Sequence, residues 1–218
     1  GVSTVTSAAV FTLTIDRNVI NRPVLAEDSA SGTVNYNHGV YYYLKINNAP
    51  KGIIQYEFTG SAMEIESWEN DVLIFKANEV AAYTVSLSLI DSDNYGIEGI
   101  SSISKVNFKL TIRKYYHGLP SYKDVRVKTY NAEKQEFIIT NMFKEWDTYT
   151  APAGVEEVSW TDEGVLTLRM KDVGVYDINV AVKDPNNSYW IYYGTVYYER
   201  TIKFEIRTKF ITAQLSLF

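Results

Sequence analysis

The chain has 218 residues, 46% of them hydrophobic and 22% charged, with a net charge of −5 and no cysteine. That length suits one large β-domain or two of about 100 residues each, and the composition is that of a chain that buries a core. Missing cysteines exclude disulfides, thiolate metal sites and thiol nucleophiles. The acidic balance, with Lys and Arg scattered, argues against a nucleic-acid surface, and no apolar run approaches the roughly 18 residues of a membrane-spanning helix.

Gly1-Val2-Ser3-Thr4 opens directly on an alternating segment, with no signal peptide, as expected of a mature or trimmed product. Residues 5–16 are expected to form a strand with Phe11, Leu13 and Ile15 on one face, and residues 17–31, carrying Pro23, Asp28 and Ser29, a connection. Further strands are expected at 33–36, 40–46, 53–58, 65–68, 72–75, 83–91 and 106–112. Asn37-His38-Gly39, Asn47 to Gly52, Gly60, Asn70-Asp71 and Ser92-Asp93-Asn94 separate them as turns. Short strands at such spacing describe a β-sandwich. Lys114 to Tyr122, with Gly118, Pro120, Tyr115, Tyr116 and Tyr122, predicts a short, partly packed joint.

After the joint the pattern starts again. Phe137 to Asn141 falls where Tyr43 to Asn47 fell, Ser159-Trp160 matches Ser67-Trp68, and Val165 to Leu168 matches Val72 to Phe75. In Lys171 to Asp184, the residues Tyr176, Ile178, Val180 and Val182 share one strand face, and the stretch ends in the turn Asp184-Pro185-Asn186-Asn187. It repeats the Tyr83 to Asp91 strand about 93 residues on, and Ile202 to Arg207 repeats Phe108 to Arg113. One β-module written twice is the expectation. Only a single helical turn around Met142 to Trp146 interrupts it, and a loop fits there equally well.

Tyr83-Thr84-Val85-Ser86-Leu87-Ser88-Leu89-Ile90-Asp91 resembles the Tyr-Thr-Val-x-Leu-x-Val-x-Asp strand of polycystic-kidney-disease (PKD) domains, an Ig-like β-sandwich family of surface proteins, and Tyr176 to Asp184 is a second instance. Asp172-x-Gly174-x-Tyr176 resembles the tyrosine corner of Ig-like folds, in which the Tyr hydroxyl bonds back to the upstream backbone; at the equivalent of Gly174 the first copy has Ala81. The resemblance implies an all-β chain of two tandem Ig-like (PKD-like) sandwich domains, 1–114 and 115–218, the second with an extra C-terminal strand. Tandem modules of this kind, cysteine-free and tyrosine-rich, resemble exported lipoproteins of Bacteroidetes. That implies an exported, periplasmic or cell-surface setting and is compatible with a lipid anchor upstream.

Asp91-Ser92-Asp93-Asn94-Tyr95-Gly96 has the outline of a calcium loop, but Tyr95 and Ser102 stand where ligands belong, so a polar turn is expected and no metal or other cofactor. The densest aromatic stretch is Asn187 to Tyr198. Strand alternation sends half of its rings inward, and Trp190, Tyr192 and Tyr197 are the expected binding surface. His38 and His117 have no Ser or Asp at motif spacing, and Glu64 with Glu66, like Glu156 with Glu157, is expected to be a solvated edge, so no catalytic residue is expected. Lys209 to Phe218 alternates past the end of the repeat and is expected to return as an edge strand of the second copy or to dock between the modules, or else to pair with another chain. The expectation is a monomeric, non-enzymatic binding or adhesion module that recognises a glycan or a protein. The rivals are an assembly component of a pilus, a conjugation apparatus or an outer-membrane uptake complex, and a spacer in a larger protein.

Overall fold

The computed structural model describes residues 13–101 and 104–210, and among them all helical or strand structure is strand. The chain divides into two compact units, the described residues up to 34 with 39–111, and 35–38 with those from 112 on. In the first module the strands are β1 (Asn18–Ile20), β2 (Val24–Leu25), β3 (Gly32–Asn35), β4 (Tyr42–Asn47), β5 (Ile54–Gly60), β6 (Glu64–Glu69), β7 (Val72–Ala77), β8 (Ala81–Leu89), β9 (Tyr95–Ile97) and β10 (Val106–Arg113). In the second they are β11 (Tyr115–Gly118), β12 (Ser121–Tyr122), β13 (Val127–Thr129), β14 (Gln135–Thr140), β15 (Asp147–Thr150), β16 (Glu156–Trp160), β17 (Val165–Met170), β18 (Gly174–Val182), β19 (Ser188–Tyr192), β20 (Thr195–Tyr197) and β21 (Glu199–Arg207).

The two modules have one topology. Module one pairs β3-β10-β8-β5 and β2-β4-β7-β6; module two pairs β13-β21-β18-β15 and β12-β14-β17-β16. In each, a short parallel pair stands outside the two four-stranded sheets, β1 with β9 and β11 with β19. Module two alone adds β20, hairpinned to β19. This is the Ig-like two-sheet architecture, twice.

Alternation builds each core. Along β17 every second residue, Leu166, Leu168 and Met170, is buried, and along β18 so are Tyr176, Ile178, Val180 and Val182. Facing side chains meet between the sheets. Phe137 of β14 lies 4.8 Å from Phe204 of β21, and Phe75 of β7 lies 5.4 Å from Phe58 of β5. Full burial of one such ring contributes about 1.5–3 kcal/mol, which makes these inward rows the main cohesive force of each module.

The repeat extends to individual hydrogen bonds. The Tyr83 hydroxyl donates to the Glu79 carbonyl at 2.8 Å and the Tyr176 hydroxyl to the Asp172 carbonyl at 2.7 Å, with both rings buried. Ala81 in place of Gly174 leaves that bond unchanged in kind. Trp68 Nε1 donates to Ala49 O and Trp160 Nε1 to Met142 O, each at 2.6 Å. Each Trp-bearing strand slips register one step before its Trp, between Ile65 and Ser67 and between Glu157 and Ser159. Asn48 and Asn141 both take a left-handed φ, 58° and 59°, a conformation Asn tolerates because its short side chain can bond locally.

Several expectations are corrected. The expected opening strand lies outside the described residues up to 12; residues 13–16 form no strand, and Leu13 and Ile15 are exposed. The expected connection at 17–31 holds β1 and β2, and the expected joint holds β11 and β12, their counterparts. Two to four residues are too few to show a period, so these strands carry no pattern of their own. Of the two alternatives for residues 142–146, the loop is the one found, with a turn at 144–146 in which Trp146 N and Asp147 N both donate to the Phe143 carbonyl. Strand β21 ends at Arg207, Phe210 is exposed, and the rest of the expected C-terminal strand lies outside the described residues.

Replacing either corner tyrosine by Phe removes one part-buried hydrogen bond to a backbone carbonyl and keeps the ring. Urea denaturation of Tyr83→Phe and Tyr176→Phe is expected to show a loss of about 1 kcal/mol in each, and equal losses within error if the corners are equivalent. A second test concerns Tyr149, whose hydroxyl donates to Glu157 Oε2 at 2.7 Å. Burial, then the hydrogen bond and the charge of Glu157, push its phenol up to about 12. A raised folded pKa means that the stabilisation is intact below the ordinary tyrosine value, near 10, and is lost as pH rises toward 12. Tyr149→Phe is expected to fall less steeply in stability across that window than the parent chain.

Candidate binding site

Superposing the two copies by strand register shows where module two departs from module one. Ile20, Ile54 and Ile97 of module one correspond to His117, Asp147 and Trp190 of module two, through the pairs β1–β9 with β11–β19 and β5–β8 with β15–β18. Ile54 and Ile97 are buried, and so are His117, Asp147 and Trp190. Val106, buried at the start of β10, corresponds to Arg200 at the start of β21, and Gly99 to Tyr192. Arg200 pairs with Val180, and Asp147 with Val182, so these changes gather at one end of module two, where β18 finishes.

At the centre of that end lies the Asp147 carboxylate, fully buried. Oδ1 accepts from Trp190 Nε1 at 2.9 Å and lies 3.2 Å from His117 Nε2, and Oδ2 accepts from the Phe143 backbone N–H at 2.7 Å. A buried carboxylate is tolerable only with partners of this number and kind. His117 Nδ1 lies 3.1 Å from the Gly118 carbonyl, so both ring nitrogens are engaged and neither is open to a substrate. Tyr115 stacks on Trp146 at 4.3 Å, and its hydroxyl is pushed above the usual phenol range by burial first, then by the charges of Asp147 and Glu145. His117 has no Asp at motif spacing, and its Asp partner comes from a distant strand. The fold supplies Asp147 from thirty positions downstream, a distance that no motif spacing encodes. With Trp190, the pair ties β11, β15 and β19 to one another.

The expected aromatic surface is also corrected. Trp190 and Tyr197 are register partners and share a face, but that face is inward: Trp190 is 0% exposed and Tyr197 packs against the core. The grouping by alternation was sound and the choice of side was not. The duplication held the signal, because Trp190 aligns with Ile97, a buried apolar position. Tyr192 has the same parity but lies at the end of β19 beyond the core, and its ring is 52% exposed. Next to it Tyr193, 91% exposed, takes φ 46° and Gly194 φ 78°, a left-handed pair that turns the hairpin. Holding a tyrosine there costs about 1 kcal/mol. Tyr192 and Tyr193 pack edge to face at 4.4 Å.

Beside this hairpin is a cleft of 450 Å³, within the range of small-ligand sites. Gly118, Leu119, Ser121 and Asn141, taken together as its floor, line it with Tyr122, Ile191, Tyr192 and Arg200. Asn141 Nδ2 donates to the Leu119 carbonyl at 3.3 Å, as Asn48 Nδ2 does to Arg22 at 3.0 Å in module one, so the floor belongs to the shared frame. It is close-packed, since a Cβ on Gly118 would come within 3.0 Å of the Asn141 amide. The added chemistry is the Tyr122 and Tyr192 rings and the Arg200 guanidinium, anchored by Nη1 to the Pro120 carbonyl at 2.7 Å. A second depression, of 490 Å³, on the outer face of β15-β18-β21 is lined by Thr148, Asn179 and Thr201, but there the Thr201 hydroxyl is already bonded to Asn179 and the Tyr149 ring packs on Trp160.

The remaining candidates are structural. In the calcium-like loop Asp91 accepts from the backbone N–H groups of Asp93 and Asn94 and from the Asn94 side chain, and Asp184 repeats this with Asn186 and Asn187. The Asn94 bonds, side chain first, hold the Asp91 carboxyl below its usual range. Among the described residues no cluster of three metal-ligating side chains occurs. Lys76 binds Glu66 at 2.7 Å and Lys134 binds Glu156 at 2.6 Å, so these acids are paired edges. His38 is exposed in its turn.

No family model and no curated protein matches the chain. Solved structures similar to it are themselves tandem sandwiches. The titin domains Z1Z2, in complex with telethonin, are 8% identical with a TM-score of 0.38, covering 87% of this chain and 98% of that one. The titin Ig tandem A164–A165 is 8% identical with a TM-score of 0.31, covering 86% and 96%. The fibronectin(III)-like modules of CbhA from Clostridium thermocellum are 11% identical with a TM-score of 0.30, covering 88% and 100%. Likenesses at this level carry no argument about role, which rests on the chain's own residues.

Asp147→Ala would leave the Trp190 and Phe143 N–H groups buried without an acceptor. Thermal and urea unfolding followed by tryptophan fluorescence is expected to show a loss of about 3 kcal/mol or more. Ile54→Ala, at the corresponding apolar position of module one, is expected to cost about 2–4 kcal/mol through its cavity alone, with no change in the Trp190 signal.

Proposed function

We propose that the chain is a non-enzymatic binding module that holds a glycan in the cleft of module two, between β12 and the β19–β20 hairpin. The observation that carries this reading is the replacement, at a position where the twin module has a buried valine, of core packing by an anchored guanidinium beside two exposed tyrosine rings. Stability alone does not select Arg at an inward strand position, or a left-handed tyrosine at a hairpin tip; binding sites tolerate such costs. Ring faces suit the C–H face of a sugar, and the amide, hydroxyl and guanidinium groups suit its oxygens. Size favours a small ligand over a protein surface, because a stable protein interface takes about 20–30 residues from each partner and this cleft is lined by eight.

The setting assigned to it is the periplasm or surface of a bacterium, with lipoproteins of Bacteroidetes as the nearest kind. The PKD-like strand 83–91 and the cysteine-free, tyrosine-rich tandem support that setting, and among the described residues no helix is long and apolar enough to cross a membrane. A glycan array probed with the full chain tests the binding. Tyr122→Ala and Tyr192→Ala, both at exposed rings, are expected to weaken capture of the bound glycans by roughly tenfold each with unchanged unfolding curves. Capture that is indifferent to both changes would place binding elsewhere.

A further inference from the structure

The charge in the cleft narrows the ligand. Among the described residues no Asp or Glu lines it, and Arg200 is its sole charged lining residue, although the protein as a whole carries −5. Arg200 has no carboxylate partner among the described residues; its one hydrogen bond, Nη1 to the Pro120 carbonyl, leaves the charge uncompensated. Its side chain is half-buried, at an inward strand position, so its charge is less screened than at an open surface. Several other cations are matched: Lys45 with Asp28, Lys76 with Glu66, Lys134 with Glu156, Arg169 with Glu136. Arg126 lies 5.8 Å over the Tyr122 ring, and it too has no acidic partner among the described residues. The floor bond of Asn141 has its twin in module one, where Val106 and Gly99 take the places of Arg200 and Tyr192, so the frame is present in both modules and the cation in only one.

We propose that the cleft takes an acidic sugar, a uronic acid unit of a glycan, with its carboxylate paired to the Arg200 guanidinium and its ring against Tyr122 and Tyr192. A guanidinium presents a planar fork of donors that a carboxylate fills with two parallel hydrogen bonds, which Lys cannot reproduce. Nη1 is held by Pro120, so the fork is oriented before the ligand arrives and little side-chain entropy is lost on binding. Module one has no equivalent and binds no acidic sugar. This assignment rests on the glycan reading of the cleft.

Isothermal titration of the full chain with oligogalacturonate, with the same oligosaccharide after reduction of its carboxyl groups, and with a neutral galacto-oligosaccharide separates the two levels. The expected result is binding of the oligouronate, loss of at least about tenfold on carboxyl reduction, and a similar loss in Arg200→Lys and Arg200→Gln. Arg200→Lys keeps the charge, so a loss there reports the fork and not the net field. If Arg200→Gln unfolds, Tyr192→Ala and the reduced oligosaccharide still decide the matter with the folded chain. Equal binding of acidic, reduced and neutral sugars, lowered by Tyr192→Ala, would overturn the acidic-sugar assignment and leave the glycan reading standing. No binding of any of the three would overturn both. Displacement of oligogalacturonate by a short peptide bearing a free C-terminal carboxylate at comparable concentration would also overturn it, because the site would then be one for peptide ends.

Discussion

A single buried carboxylate organises the end of the second module. Asp147 stands at the first position of β15, where the twin module has Ile54, and takes bonds from Trp190 on β19 and from the backbone of the 143–147 turn while facing His117 on β11. An unpaired carboxylate there would cost several kcal/mol, so its neighbours have little freedom to differ. The consequence reaches the surface through His117, which also contacts the Gly118 carbonyl, and Gly118 is packed against Asn141 in the floor of the cleft. The chain of contacts from Asp147 to the cleft thus consists of groups held by hydrogen bonds or close packing, which keeps a binding site rigid before its ligand arrives.

The internal duplication provides a control that a single module lacks. Both copies share the tyrosine corner, the tryptophan-to-carbonyl bond, the slip in register before that tryptophan, the Asx turn after the long strand and the left-handed Asn. These recur because they settle local backbone conformation, a requirement that is the same in both modules. One group of departures changes character at the core: Ile20, Ile54, Ile97 and Val106 give way to His117, Asp147, Trp190 and Arg200, each of which carries a polar group. Polar groups at inward positions are a net cost unless fully partnered. Three of the four are partnered within the core. Arg200 alone faces a cleft with its charge unmatched, and for that reason the functional reading centres on it.

Much of the frame was legible in the residues alone. Tyr83 and Tyr176, Trp68 and Trp160, and the two long alternating strands are spaced alike, and long alternating strands declare both their type and their inward face. What could not be read were elements without a period, β1, β2, β11 and β12, whose two to four residues are strands only because a partner strand lies beside them. Trp190 and Tyr197 show a different limit. Alternation tells which residues share a face but not which face meets water, and here the answer lay in alignment with buried Ile97. His117 and Asp147 show a third. Their contact depends on the parallel pairing of β11 with β19, a long-range event that leaves no mark in local spacing.

The ligand-binding role proposed for module two depends on a cleft whose tyrosine rings and guanidinium its twin lacks. A heteronuclear NMR titration of the isotope-labelled full chain with oligogalacturonate tests it most directly. The expected shifts are confined to the backbone signals of Gly118, Tyr122, Asn141 and Tyr192 and to the Arg200 Nε–Hε signal, while Asn21, Leu25, Asn48, Gly99 and Val106, the corresponding positions of module one, stay still. Shifts spread evenly over both modules, or gathered in module one, would contradict it.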